Sequence, residues 1–366
     1  MGLLAILLLT GSCFAAETGL STVEESAARQ AETLDLDGLK NAAGEAGDGL
    51  DVSGGTTWED GLKGLWEKAC GLLGGMVKRS ARSAVLMLLI VLFGSLAGQL
   101  CGSFGEREVS VVQIVMVLAL TAVAVSDAGS LMSEGRDAVG RMRTFGNVLL
   151  PTMTAATAAM GAPAGAVARQ MAALLFSDVL LNLIDRLLLP LVYAYLAVCA
   201  AYAVVGNDGL KRIGKLIKGT VTGILTGVLI AFIGYLSVSG AIAGSSDALT
   251  LKAAKFAMTS MVPVVGKILS DAAETVLAGA GILRGTVGVF GLLAVMGILL
   301  APFLQMGVHY LAYKLSAAVS ATVAEGRTAG MIDAIGDAFG LSLGMTGTSG
   351  VVLLISIVSA ITVVVR

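Results

Sequence analysis

Seven stretches of this chain contain no Asp, Glu, Lys or Arg: Ala84 to Leu100, Val109 to Val125, Phe145 to Val167, Leu187 to Val205, Thr220 to Ala243, Thr286 to Val308 and Leu341 to Val365. Each approaches the ~20 residues that a helix needs to cross ~30 Å of hydrocarbon. Within lipid every backbone N–H and C=O must find its partner inside the segment, which leaves the helix as the spanning element of such a chain. The composition agrees, at 56% hydrophobic and 14% charged residues, far from the averages of soluble domains. The expected fold class is all-α, a polytopic transmembrane helix bundle of about seven or eight spans. With 48 Gly, 15 Met and only 5% aromatic residues, such helices pack through small side chains and thioethers rather than around a large aromatic cofactor.

Two further stretches, Met171 to Arg186 and Phe256 to Leu283, are apolar but carry charges or a proline. They read as broken, tilted or re-entrant helices, which a membrane tolerates only where protein or a wet cavity satisfies the backbone. In the second, Lys252 and Lys255 precede Pro263, and Gly266, Lys267, Asp271 and Glu274 follow it. Proline removes a backbone donor and obstructs the preceding turn, so a helix, a break and a second helix are expected, with the charges three or four residues apart along one side. Ionisable groups at membrane depth mark a polar pathway or an interfacial or subunit-docking helix, and the bland alternative is a solvated loop. In the first stretch Asp178, Asn182 and Asp185 share a face, next to Arg186. This is a candidate intramembrane polar cluster, or else a tilted surface helix whose Arg186 pairs locally. His309, beside Tyr310 and Tyr313, reads as an interfacial residue at the edge of a span.

The N-terminus, MGLLAILLLTGSCFAA, has the apolar core of a signal peptide without the usual basic start, and residues 1–16 are expected to be that signal. From Glu17 to Glu67 twelve acidic residues face three basic ones. The segment 17–81 reads as an acidic, flexible extracytoplasmic spacer, and 82–366 as the transmembrane domain. The only two tryptophans, Trp58 and Trp66, stand just before the first span, where indoles anchor at bilayer interfaces. The loop Asn207 to Gly219 has four basic residues and is the best cytoplasmic candidate. Seven simple spans would put this loop on the same side as the acidic segment, so an extra crossing at Met171 to Arg186 is expected.

Glycines at a spacing of four lie on one helix face and let backbones approach closely. Three such triplets occur, Gly94, Gly98 and Gly102; Gly219, Gly223 and Gly227; Gly336, Gly340 and Gly344. They are candidate helix-packing residues, within the chain or against partner subunits. Pro151 and Pro190 are 39 apart, as are Pro263 and Pro302, which suggests an internal repeat of 84–195 and 196–307, the kind of duplication that builds many transporters.

The catalytic classes are thinly represented. No phosphate-binding loop, nucleophile elbow or zinc-protease motif is present, there is one histidine, and the four cysteines Cys13, Cys70, Cys101 and Cys199 show no metal-ligand spacing. No catalytic residue, metal site or cofactor is expected, and a formal net charge of −2 leaves no nucleic-acid footprint.

Residues Ser237 to Leu293 contain an S-G…D-x-x-x-x-KAAKF segment, then VPVVGKILSDAAETV, then a GVFGLL span. This run resembles the signature region of the stage III sporulation protein AE family, as do the chain length, the acidic N-terminal segment and the multi-pass remainder. The resemblance implies a polytopic protein made in the mother cell of an endospore former, in the membrane surrounding the forespore. It implies as partners the other proteins of the stage III sporulation A operon, among them a secretion-type ATPase and ring-forming subunits. It further implies, indirectly, the forespore-made stage II sporulation protein Q. Together these form a secretion-like channel needed for late forespore development, and the residues from Lys252 to Glu274 then serve subunit contact or gating. The alternative from the residues alone is a self-sufficient secondary transporter with its substrate site at the broken helices.

Overall fold

A computed structural model describes residues 36–46, 57–101, 106–159, 163–261, 265–324 and 326–361, with side-chain surroundings defined except at 36–37, 45, 101, 106–110, 159, 163–165, 239–280 and 283. Among the described residues there are helices and turns and no strand. A short helix α1 (Leu36–Ala43) is followed by a 3-10 turn, and then by α2 (Trp58–Cys101) and α3 (Glu106–Ala159). Next come α4 (Pro163–Leu183), a π turn at Ile184–Leu188 and α5 (Leu189–Val205). The chain ends with α6 (Asp208–Met261), α7 (Val265–Ser320) and α8 (Gly326–Ile361).

Six continuous helical stretches are long and apolar enough to cross a membrane: Trp58–Leu100, Val111–Ala158, Ala166–Val205, Asp208–Val238, Arg284–Ser320 and Gly326–Ile361. Blocks that stand apart in the sequence are joined within continuous helical stretches in two places. Val109 to Val125 and the start of Phe145 to Val167 belong to one helix, α3, and the latter block is divided between α3 and α4. Met171 to Arg186 is not re-entrant; it runs through the π turn into α5. The physical reason lies in the charged stretch between the α3 blocks. It contains no proline, and its Arg136 and Arg143 find carboxylates on α4 and the π turn after it, so the helix has no cause to stop. Pro151 lies inside α3 and Pro302 inside α7 without ending either helix.

Neighbouring contacts give the direction of each helix. Gly340 meets Tyr310 and Gly350 meets Leu299, so α7 and α8 are antiparallel. Gly61 meets Leu293 and Ser80 Oγ donates to the Val308 carbonyl, so α2 runs parallel to α7. Gly291 stands against Leu149, which sets α3 antiparallel to α7. One end of the bundle thus carries the α5–α6 and α7–α8 turns, and the other carries the starts of α2, α4 and α7. Three membrane-length stretches separate the start of α2 from the basic α5–α6 turn, which lies at the opposite end of the bundle.

Helix α8 is the centre. Ile332, Ile335, Ala338, Phe339, Val352, Leu353 and Ile357 are all buried, and α3, α5, α6 and α7 pack around it. Helix α2 is peripheral, with Leu86, Leu89, Phe93, Leu96 and Leu100 exposed, an outward apolar face suited to hydrocarbon. Part of the acidic segment is also structured: Leu39 and Ala43 of α1 are buried against the bundle, and Ala46 reaches its backbone oxygen to 3.2 Å from where a Cβ on Gly297 would stand. Helix α2 starts at Trp58, so a division at 81/82 falls inside it. A repeat boundary at 195/196 likewise falls inside α5.

Candidate functional site

The charges that the fold gathers most closely come from α5, α6, α7 and α8. On α8, Asp333 and Asp337 are four apart and share a face. Lys314 of α7 bridges both, with Nζ 2.7 Å from Asp333 and 2.8 Å from Asp337. Lys218 of α6 donates to the other Asp337 oxygen at 2.7 Å, and the Tyr195 hydroxyl of α5 donates to the same oxygen at 3.3 Å. Two cations and two carboxylates balance. A carboxylate shared by two ammonium groups keeps its charge inside an apolar bundle because its desolvation is offset by charge-assisted hydrogen bonds. Chemically this node is an ionic joint between three long helices, with a tyrosine from a fourth.

Beside the joint lies a cavity of ≈ 330 Å³. Tyr195, Cys199 and Tyr202 line it from α5, Lys211, Lys215 and Lys218 from α6, and Gly326, Gly330, Asp333 and Asp337 from α8. The Lys211 ammonium sits 5.8 Å from the centroid of the Tyr202 ring. The α5–α6 turn that closes its end is made by Gly206, whose φ of 71° is the left-handed conformation that ends a helix, with the Arg327 guanidinium packed against it.

A second polar feature is internal. Gln305, His309, Tyr313, Ser316 and Ser320 recur along one face of α7, and all five are buried. The Tyr313 hydroxyl donates to Asp127 of α3, and His309 Nδ1 lies 2.9 Å from the Gln305 carbonyl, which accepts in the Nδ1–H tautomer. The ring of His309 is tilted against Phe339 at 5.9 Å. The expectation of an interfacial histidine is corrected: the same spacing of four that places Gln305, His309 and Tyr313 together turns them inward, toward α3 and α8.

Of the residues singled out in the sequence, Asp178, Asn182, Asp185 and Arg186 lie on α4 and the π turn. Asp178 pairs with Arg143 at 2.7 Å and Asp185 with Arg136 at 2.8 Å, two bridges from α3 to α4 and the π turn, while Asn182 donates to the Asp178 carbonyl. The alternative pairs Arg186 locally with Asn182 or Asp185; in the structure Asp185 is held across helices by Arg136. Pro263 and the side chains of Lys252, Lys255, Lys267, Asp271 and Glu274 lie outside the described residues; α6 ends at Met261 and α7 begins at Val265, with Gly266 in its first turn.

The glycine triplets separate. A Cβ on Gly336 would stand 3.4 Å from Tyr313, on Gly340 3.2 Å from Tyr310 and on Gly344 3.6 Å from Leu225, so this triplet packs within the chain. Gly94 is pressed against Met116, and Gly98 borders a cavity of ≈ 350 Å³ shared with Ser95, Gln99, Gln113 and Thr328; Gly102 lies outside the described residues. Gly219, Gly223 and Gly227 have nothing within 4 Å of a Cβ and pack against no other part of the described chain.

Sequence reasoning missed the ionic joint. Its signal was present in DAIGDAFG, two carboxylates four apart at the start of the last helix, and in Lys314 standing between apolar turns. Lys218 had been read only as part of a basic loop. Among the described residues no group of three or more His, Cys, Asp or Glu could hold a metal ion.

A six-stretch helical bundle with exposed apolar outer faces and charges paired inside is the build of a multi-pass membrane protein. The sequence profile of stage III sporulation protein AE matches residues 53–364, nearly the whole bundle, and the chain belongs to that family. A curated relative, stage III sporulation protein AE of Bacillus subtilis (strain 168), is 25% identical over 250 residues, 68% of this chain and 63% of that protein. The chain thus spans less than two thirds of that relative. No solved structure matches significantly.

Proposed function

We propose that the protein is a non-enzymatic core component of a secretion-like channel complex in the mother-cell membrane around the forespore, required for late forespore development. The observation that carries this reading is the family match over 53–364, on a bundle of membrane-length apolar helices. Its companions are then the other stage III sporulation A-operon proteins, including a secretion-type ATPase and ring-forming subunits, with the forespore partner stage II sporulation protein Q reached indirectly. By the positive-inside rule the basic α5–α6 turn faces the cytoplasm. The acidic segment and the α6–α7 hairpin then face the space between the two membranes. Helix α7 has roughly 20 residues, or ~30 Å, of helix before Gly288, which packs against Ile361 at the end of α8. That length suits Lys267, Asp271 and Glu274 to subunit contact or gating, together with Lys252 and Lys255 near the end of α6.

The test is gentle detergent extraction of a tagged copy from sporulating cells, followed by mass spectrometry, for wild type and for Lys267→Ala, Asp271→Ala and Glu274→Ala. Recovery of the ATPase and ring subunits with the wild type, and their loss in the variants, is the expected outcome. A wild-type protein that purifies alone overturns it. A second reading, a self-sufficient transporter, draws on the Lys218–Asp337–Lys314 joint, since paired charges within spans often mark ion pathways. Solute uptake by liposomes containing this chain alone would favour that reading.

A further inference from the structure

Five residues of α6 recur at every fourth position: Lys211, Lys215, Gly219, Gly223 and Gly227. All five are exposed, and they form one row along the helix, since a spacing of four advances only slightly around it. The row has two chemical halves. Its first half, joined by Lys218, forms the cationic wall of the ≈ 330 Å³ cavity at the α5–α6 turn. The carboxylates of that cavity, Asp333 and Asp337, are already engaged by Lys314 and Lys218, so they leave the charge of Lys211 and Lys215 uncompensated. The second half is a bare strip. At Gly219, Gly223 and Gly227 nothing stands within 4 Å of a Cβ, and the flanking Leu216 and Ile230 are exposed apolar side chains.

From this juxtaposition we infer that α6 carries a binding site for an anionic phospholipid. The phosphate sits against Lys211 and Lys215 at the mouth of the cavity, and one acyl chain lies along Gly219, Gly223 and Gly227. Two observations with different physics meet in this assignment. Lysines beside a membrane surface attract anionic headgroups, and the Tyr202 hydroxyl of the cavity can donate to a phosphate oxygen, the Tyr195 hydroxyl being engaged by Asp337. Glycines remove the side chains that would hold an acyl chain away from the backbone, so dispersion contact with the helix is gained along three turns. A free phosphate compound satisfies the first half alone, and a partner's transmembrane helix satisfies the second half alone. Only a lipid uses the whole row.

The experiment uses the purified full-length chain in mild detergent, with native mass spectrometry reading retained lipid after addition of phosphatidylglycerol or phosphatidylcholine. Phosphatidylglycerol should be retained in preference to phosphatidylcholine. The double variant Lys211→Gln/Lys215→Gln should retain roughly 30-fold less, at about 5-fold per lysine. The double Lys→Arg variant should restore retention, which a merely misfolded glutamine variant would not predict. Gly223→Leu should weaken phosphatidylglycerol retention while leaving glycerol-1-phosphate competition at the lysines unchanged. Equal retention of the two lipids, or undiminished retention in the glutamine variant, overturns the proposal. So does retention unaffected by Gly223→Leu but abolished by glycerol-1-phosphate, which assigns the lysines to a free phosphate. If Gly223→Leu instead disrupts a chain–chain oligomer with no effect on lipid, the strip belongs to a helix partner and the proposal fails.

Discussion

The start of α8 and the exposed row of α6 carry the same glycine spacing in opposite surroundings. Gly336, Gly340 and Gly344 meet Tyr313, Tyr310 and Leu225, and the adjacent Asp337 is held by two lysines with only 17% of its side chain exposed. Gly219, Gly223 and Gly227 meet no other part of the described chain. A glycine triplet therefore states that a backbone can be approached closely, and says nothing of what approaches it. The same lesson holds for charge. The joint ties three helices through one shared carboxylate, whereas Arg143–Asp178 on the α3–α4 edge is a single pair whose side chains are 44% and 51% exposed.

This contrast can be broken by substitution. Asp337→Ala removes the shared carboxylate, while Lys314 keeps Asp333 and the half-exposed Lys218 can turn to water, and it should destabilise the protein by roughly 1.5–3 kcal/mol, read as a fall in thermal midpoint in mild detergent. A midpoint within a degree of wild type would show that the joint is not an anchor. Gly340→Leu drives a side chain into the Tyr310 ring at the α7–α8 contact and should cost roughly 1–3 kcal/mol in the same assay. Arg143→Ala at the α3–α4 edge should cost no more than about 1 kcal/mol, because that pair is exposed and single. Gly223→Leu should change the stability of the single chain by less than about 0.5 kcal/mol, with any effect confined to lipid retention. A large loss there would mean that the open row packs within the chain after all.

Much of the architecture was legible because the bilayer restricts the choices. Charge-free blocks of about 20 residues announce helices, and the SVSG to GVFGLL run announces the family. Helix ends were less legible. The stretch from Asp127 to Arg143 reads as a break between spans because its charges look solvated, yet Asp127 takes the Tyr313 hydroxyl, Arg143 reaches α4 and Arg136 reaches the π turn after it. His309 reads as interfacial for the same reason: a polar residue near a span's end has no visible partner until α8 brings Phe339 beside it.

The sequence by itself determined that this chain is a membrane-embedded helical protein of the stage III sporulation protein AE family, because apolar block length and local motif are properties of contiguous residues. The tertiary structure alone decided which blocks fuse, which glycines are covered, and that Lys218, Lys314, Asp333 and Asp337 meet. Those outcomes depend on partners that lie apart along the chain, by 19 residues for Lys314 and Asp333 and by 119 for Lys218 and Asp337. A periodic pattern specifies the face on which a residue lies, but only the packing of another helix specifies what that face meets.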